Sequence, residues 1–134
     1  MKKVVSLTLI MLIIFTSFTF AYAKVNNFEP KLIVETGNGT FLSWGAVTTT
    51  HYYCNKGDNY AGVVLYIDTV GTMRVEIFKV GSSSPLATHT VNGPYNGEFG
   101  EGIGITVDTA GYYYVKFTNT GNSVLDVYYA VIYN

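Results

Sequence analysis

The segment Val107–Tyr133, VDTAGYYYVKFTNTGNSVLDVYYAVIY, decides the fold class of this chain. It contains two runs rich in aromatic and β-branched residues, separated by the polar sequence TNTGNS. Apolar residues recur at every second position of both runs, which is the pattern of strands with one buried face. The segment therefore predicts a β-hairpin. Its predicted core side chains are Val115, Phe117, Leu125, Val127 and Val131.

The residues upstream of this segment continue the same pattern. Turn-forming residues recur about every eight to twelve positions, and no apolar stripe of helical period persists. The chain is therefore predicted to be all-β: an antiparallel two-sheet β-sandwich of Greek-key or jelly-roll type, with about eight or nine strands. Asn38-Gly39 predicts a hairpin turn within residues 31–44, because both residue types accept positive φ. Residues 47–54 predict a single strand, and Asp68–Gly71 predicts a turn between two further strands.

The N-terminal residues predict export. Lys2 and Lys3 precede the mostly apolar run 4–20, and Ala21-Tyr22-Ala23 is an A-x-A cleavage pattern. Residues 1–23 are therefore predicted to be a signal peptide and residues 24–134 a single secreted domain. An uncleaved membrane anchor is the alternative. After cleavage, no second apolar stretch is long enough to cross a membrane.

The composition excludes one class of partner and leaves the role of Cys54 open. Without Lys2 and Lys3 the chain has more acidic than basic residues, and it has no basic patch. Nucleic acid is therefore not an expected partner. The single cysteine, Cys54, forbids an intrachain disulfide. We expect Cys54 to be a buried apolar residue, with pairing to another chain as the alternative.

Two resemblances are carried by the residues around Asp108. The sequence Asp108–Tyr112, DTAGY, resembles the tyrosine corner of immunoglobulin-like sandwiches. That resemblance implies that Tyr112 donates its hydroxyl to upstream backbone and that Tyr114 stands where such domains have a disulfide cysteine.

A longer similarity, from Tyr60 to Tyr133, is to secreted bacterial β-sandwich domains of the pre-peptidase C-terminal type. The matching residues are Ala110, Gly111, Tyr113, Val115, Asn119 and Gly121. The resemblance implies a domain that accompanies an exported enzyme and binds matrix or cell-wall polymers.

Patterns for catalysis and metal binding are weak. His51 and Cys54 are three residues apart, so a strand directs their side chains to opposite faces. The spacing of His51, Cys54 and His89 matches no zinc-binding pattern. The acidic residues around the glycine-rich loop are Glu98, Glu101 and Asp108. They predict a solvated loop, with Ca²⁺ or a pair of glycoside-cleaving carboxylates as alternatives. We therefore predict no enzymatic activity, no cofactor and no bound metal.

The aromatic residues carry the functional prediction. All twelve tyrosines except Tyr22 follow the predicted signal peptide. Consecutive tyrosines on a strand cannot share one face, so each group must place at least one ring outside the core. A tyrosine offers a flat apolar ring and a hydroxyl, which suit sugars and protein interfaces. The candidate ligand-binding residues are Trp44, Tyr52, Tyr53, Tyr112, Tyr114 and Tyr128.

The sequence thus favours a secreted, non-catalytic binding or structural module. Its expected partner is a carbohydrate polymer of the cell wall or matrix, or a protein, bound by exposed tyrosines. The alternative is a secreted effector: a small toxin, a bacteriocin-like factor or an inhibitor.

Overall fold

The computed structural model describes residues 32–96 and 100–133, with side chains from residue 35 onward. The predicted signal peptide, residues 1–23, and Glu98 lie outside the described residues. Eight strands form: β1 Leu32–Phe41, β2 Ala46–Thr48, β3 Tyr52–Cys54, β4 Asn59–Lys79, β5 Ala87–Tyr95, β6 Glu101–Thr106, β7 Gly111–Asn119 and β8 Leu125–Tyr133. None of the described residues forms a helix that could span a bilayer.

The eight strands are arranged as four long antiparallel ribbons. The 21-residue strand β4 runs through the middle and is one ribbon by itself. On one side, β8 pairs with its first half and β7 with its second half. On the other side, β6 pairs with the first half of β4 and β5 pairs with its second half. The fourth ribbon consists of β1, which pairs with β8, and of β2 and β3, which pair with β7.

The ribbons fold over, so that their two halves become two facing sheets. The first sheet contains β1, β8, the first half of β4 and β6, and the second contains β2, β3, β7, the second half of β4 and β5. Gly62 shows how closely they approach. A β-carbon there would lie 2.5 Å from Val115 Cγ1 and 3.1 Å from Val75 Cγ1, across the sandwich. The predicted antiparallel β-sandwich is therefore confirmed.

The core between the sheets is apolar. Tyr60, Met73 and Ile77 of β4 are fully buried, and Ile103 and Ile105 of β6 pack against this cluster. The five predicted core residues of β7 and β8 are also buried. Burying a side chain of this size contributes about 1.5–3 kcal/mol relative to leaving it exposed, so each of these residues stabilises the sandwich.

The predicted hairpin at residues 107–133 is wrong, although both of its strands exist. β7 and β8 are not paired with each other; each pairs with a different half of β4. Residues 120–124 carry the chain from the second sheet to the first. A two-sheet fold can bury both apolar faces this way, whereas an isolated hairpin would bury only one.

Two other predicted turns are absent because neighbouring strands continue past them. Asn38 and Gly39 lie within β1, opposite Tyr128 and Val127 of β8. Pairing with β8 satisfies their backbone groups and overrides the local preference for a turn. Likewise, the Asp68–Gly71 segment only bends β4, which is flanked by partner strands on both sides.

The predicted strand 47–54 is divided into β2 and β3 by residues 49–51. Thr49 turns inward and is almost fully buried. Its hydroxyl oxygen accepts the N–H of Val115 at 2.9 Å, and its own N–H donates to the Val115 carbonyl, also at 2.9 Å. Where β2 ends, the Thr49 hydroxyl therefore takes the place of a backbone carbonyl as the acceptor for the Val115 N–H.

The tyrosine corner is displaced by one residue from its predicted position. Tyr113, not Tyr112, donates its hydroxyl to the carbonyl of Thr109, at 2.5 Å. Tyr113 is buried, whereas Tyr112 is more than half exposed. The reason is that β7 begins at Gly111, so the alternation turns Tyr113 toward the core.

This assignment predicts different effects of two matched substitutions. Tyr113→Phe should lower the free energy of unfolding by about 1 kcal/mol, because it removes only the hydrogen bond to Thr109. Tyr112→Phe should leave it within about 0.5 kcal/mol of the parent, as expected for an exposed site. Urea denaturation would measure both, and a larger loss from Tyr112→Phe would contradict the assignment.

Candidate functional site

The outer surface of the second sheet carries five neighbouring rings, which we call the tyrosine face: Tyr53, Tyr112, Tyr114, His51 and Phe78. Tyr53 of β3 stands opposite Tyr112 of β7, with ring centroids 5.3 Å apart in a T-shaped arrangement. Tyr114, two residues further along β7, lies between the other two rings. Its centroid is 4.9 Å from that of His51 and 5.2 Å from that of Phe78, which is stacked on it at 8°.

Solvent reaches the tyrosine face at His51 and at the pair formed by Tyr53 and Tyr112. Tyr53 is 53% exposed and Tyr112 is 54% exposed. Neither hydroxyl forms a hydrogen bond with a described residue. Tyr114 is half-buried, and Phe78, which is stacked on it, is buried. The tyrosine face therefore combines two packed rings, Tyr114 and Phe78, with the accessible rings of Tyr53, Tyr112 and His51.

The other three predicted binding residues lie elsewhere. Tyr52 packs against the core, and its hydroxyl donates to Glu35 Oε2 at 3.2 Å. Burial, first among the causes, raises the pKa of Tyr52. Trp44 is 64% exposed, in the turn between β1 and β2, where it adopts a left-handed φ of 60°. Tyr128 is on the outer surface of the first sheet, opposite Asn38 and Tyr66.

Trp44 is far from the tyrosine face along the sheet. The N–H of Asn119 donates to the Gly45 carbonyl at 2.9 Å, which places this turn beside the end of β7. Tyr112 is seven residues earlier on that strand, a distance of about 23 Å at the usual rise. Trp44 is therefore not part of the tyrosine face.

Tyr128 lines a shallow groove of about 330 Å³ together with Tyr66, Asn38, Thr40 and Asp126. The Thr40 hydroxyl donates to Asp126 Oδ1 at 2.6 Å. Of these five residues, sequence reasoning selected only Tyr128. Strand alternation in residues 125–133 places Asp126 on the same face as Tyr128, so the sequence alone could have predicted that Asp126 lies beside Tyr128. The contributions of β1 and β4 depend on long-range register, which no local pattern reveals.

Neither histidine forms a hydrogen bond with a serine, threonine or cysteine side chain in the described part of the chain. His51 is engaged by the ring of Tyr114, and His89 Nε2 lies 2.9 Å from Glu101 Oε1. Cys54 is fully buried, and burial followed by the charge of Asp58 raises the pKa of its thiol to about 11. A protonated, inaccessible thiol is a poor nucleophile and metal ligand. Within residues 32–96 and 100–133, no group of three or more histidine, cysteine, aspartate or glutamate side chains could hold a metal ion.

The comparisons with known proteins give no family for this chain. No family model matches it, and no curated protein resembles it. Among solved structures, it is similar to the Drosophila melanogaster CENP-C cupin domain, at 16% identity and a TM-score of 0.37, covering 81% of this chain and 65% of that one. The same domain bound to CAL1 matches at 14% identity and a TM-score of 0.35, covering 77% and 66%.

A subunit of the Bacillus endospore appendages, described as disulfide-linked pili, is similar at 17% identity and a TM-score of 0.39, covering 74% of this chain and 83% of that one. The chain spans less than two thirds of the length of the CENP-C domains. With TM-scores this low, the likenesses do not establish a function for this protein.

Proposed function

We propose that this protein is an exported, non-catalytic module that binds a cell-wall or matrix polymer through the tyrosine face. A protein surface is the other class of partner that such a face suits. The observation that carries the proposal is the pair Tyr53 and Tyr112, two rings in mutual contact and each more than half exposed.

The arrangement of the rings supports binding more than a purely structural role. A tyrosine that only filled the core would be buried, as Tyr113 is. Tyr53 and Tyr112 instead present ring surface and hydroxyls to solvent, and Tyr114 is held by the rings on either side of it. Because the Tyr53 and Tyr112 rings already pack against each other, less side-chain entropy would be lost on binding. Tyrosines of this kind often dominate binding energy.

A non-catalytic role fits the chemistry of the groups that usually act in catalysis. Cys54 is sealed in the core, and the nearest hydrogen-bond partner of His89 in the described residues is a carboxylate. Export rests on the predicted signal peptide, residues 1–23. The resemblance to pre-peptidase C-terminal domains agrees with polymer binding, since such domains bind matrix or cell-wall polymers.

We expect the double variant Tyr53→Ala/Tyr112→Ala to lose about 30-fold or more in affinity, because each truncation of a central aromatic costs at least about 1 kcal/mol. Retention on insoluble cellulose, chitin and purified cell walls would measure this. Val124→Ala is the matched control: Val124 is also about half exposed but precedes β8, away from the tyrosine face.

Both proteins should unfold at the same temperature as the parent. The proposal fails if no polymer retains the parent protein, or if the double variant is retained as strongly as the control. Retention of the parent only by a protein component of the cell wall, abolished by protease treatment of that wall, would assign the tyrosine face to a protein partner.

A further inference from the structure

We propose that the groove on the first sheet is a second, separate binding site, for a neutral hydroxyl-rich sugar unit of a glycan. The groove is on the outer surface of the first sheet, whereas the tyrosine face is on the outer surface of the second. The two sites therefore point away from each other, with the core between them. Neither site needs the other in order to bind.

A bulge in β4 contributes Tyr66 to the groove. The pairing of β4 with β8 shifts between Val64 and Tyr66, so one extra residue is accommodated there. Val64 and Ile67 stay buried in the core, and Tyr66 is 40% exposed on the outer surface. Bulges re-aim side chains in this way and often occur beside functional sites.

The strand register aligns the lining residues in two rows. Asn38 of β1, Tyr128 of β8 and Tyr66 of β4 are cross-strand partners and form the first row. Thr40 and Asp126 are partners in the next row. Neighbouring strands are about 4.8 Å apart, so the first row spans about 10 Å, which suits a single sugar ring with its substituents.

Asp126 is held in a fixed position. Its Oδ1 accepts the Thr40 hydroxyl at 2.6 Å, and its backbone N–H donates to Asp68 Oδ1 at 2.8 Å. Its second carboxylate oxygen has no partner among the described residues, and is therefore available to accept a hydroxyl from a ligand. Hydrogen bonds to a carboxylate are about twice as strong as those between neutral groups.

The remaining lining groups complete the chemistry of a sugar site. The rings of Tyr66 and Tyr128 offer apolar surface for the C–H face of a pyranose, with hydroxyls at their ends. The Asn38 amide both donates and accepts hydrogen bonds, as sugar hydroxyls do. A concave site that combines apolar rings with a few convergent polar groups is the usual form of a small-ligand site.

The test is a titration of the isotopically labelled protein with soluble hexasaccharides of glucose, N-acetylglucosamine, xylose and mannose, followed by NMR. We expect at least one sugar to shift the amide signals of Asn38, Thr40, Tyr66, Asp126 and Tyr128. Tyr66→Ala and Asp126→Asn should each weaken that affinity about 10-fold, through loss of a ring contact and of a charge-assisted hydrogen bond. Tyr66→Phe keeps the ring and should change the affinity by less than about 3-fold.

The double variant Tyr53→Ala/Tyr112→Ala is the control for independence, and it should bind the hexasaccharide as the parent does. Unchanged binding of the hexasaccharide by this variant would show that the two sites are separate. The inference is overturned if none of the sugars shifts these five signals, or if Asp126→Asn binds unchanged while keeping the spectrum of a folded protein. Shifts produced only by a lysine-rich peptide would also overturn it, since they would show a site for cations.

Discussion

Replacing Asn119 by alanine should lower the free energy of unfolding by about 3 kcal/mol. Asn119 is fully buried at the end of β7, where the chain leaves the second sheet. Its Nδ2 group donates to the carbonyl oxygens of Phe41, Leu42 and Ser123, at 3.1, 3.1 and 2.7 Å, and its Oδ1 accepts the N–H of Gly121 at 2.9 Å. One side chain thus joins the end of β1 to the 120–124 crossing.

The alanine variant would remove this partner from the Phe41 and Ser123 carbonyls and from the Gly121 N–H, whereas the Leu42 carbonyl would still accept the N–H of Gly45 at 2.8 Å. Each buried group left unsatisfied costs about 1–3 kcal/mol. The thermal midpoint should therefore fall by roughly 10 °C or more. Asn122→Ala is the matched control, because Asn122 is exposed in the same crossing and should change stability by less than about 0.5 kcal/mol. Equal effects of the two substitutions, measured by urea and thermal denaturation, would show that the hydrogen bonds of Asn119 do not stabilise the 120–124 segment.

Stability should fall steeply as the pH rises from about 10 to about 12, since many tyrosines hold their protons more tightly in the folded state. The tyrosines with raised pKa are Tyr52, Tyr60, Tyr95, Tyr113, Tyr129 and Tyr133. The hydrogen bond to Asp58 Oδ2, 2.7 Å long, is the first cause that raises the pKa of Tyr133 to about 12. For Tyr60 the first cause is burial.

The sign follows from proton counting. Above about pH 10 the unfolded chain loses tyrosine protons that the folded protein retains, so each step in pH favours unfolding. Below that pH both states are protonated and this contribution to stability is fully present. The Cys54 thiol, with a pKa raised to about 11, acts in the same direction.

Urea denaturation at about pH 8, 10 and 11 would measure this loss. Tyr133→Phe removes one of the linked protons, so its stability should decline less over the same interval, at the cost of a lower stability near neutral pH. A parent protein whose free energy of unfolding stays constant between about pH 9.5 and 11.5 would contradict the linkage.

The positions of the residues in the two proposed binding surfaces depend partly on local sequence pattern and partly on long-range strand register. Alternation within residues 111–119 is sufficient to place Tyr112 and Tyr114 on one side and Tyr113 on the other. The meeting of Tyr53 with Tyr112 depends on the register of β3 against β7, which involves residues almost sixty positions apart. The groove depends further on a bulge in β4, and a shift of one residue there would return Tyr66 to the core side.

By itself, the sequence determined that this protein is all-β, which face of most strands is apolar, and which residues of β7 and β8 are core. These properties follow from side-chain volume and period-two alternation, both of which are local. The tertiary structure alone decided which strands pair. In the folded protein β7 and β8 pair with different halves of β4 and not with each other, and β4 continues through Asp68–Gly71 without a turn. Asn38 and Gly39 are part of β1. The physical reason is that a backbone N–H or C=O is satisfied equally well by any correctly placed strand, so the closing of two sheets over one core chooses the partner.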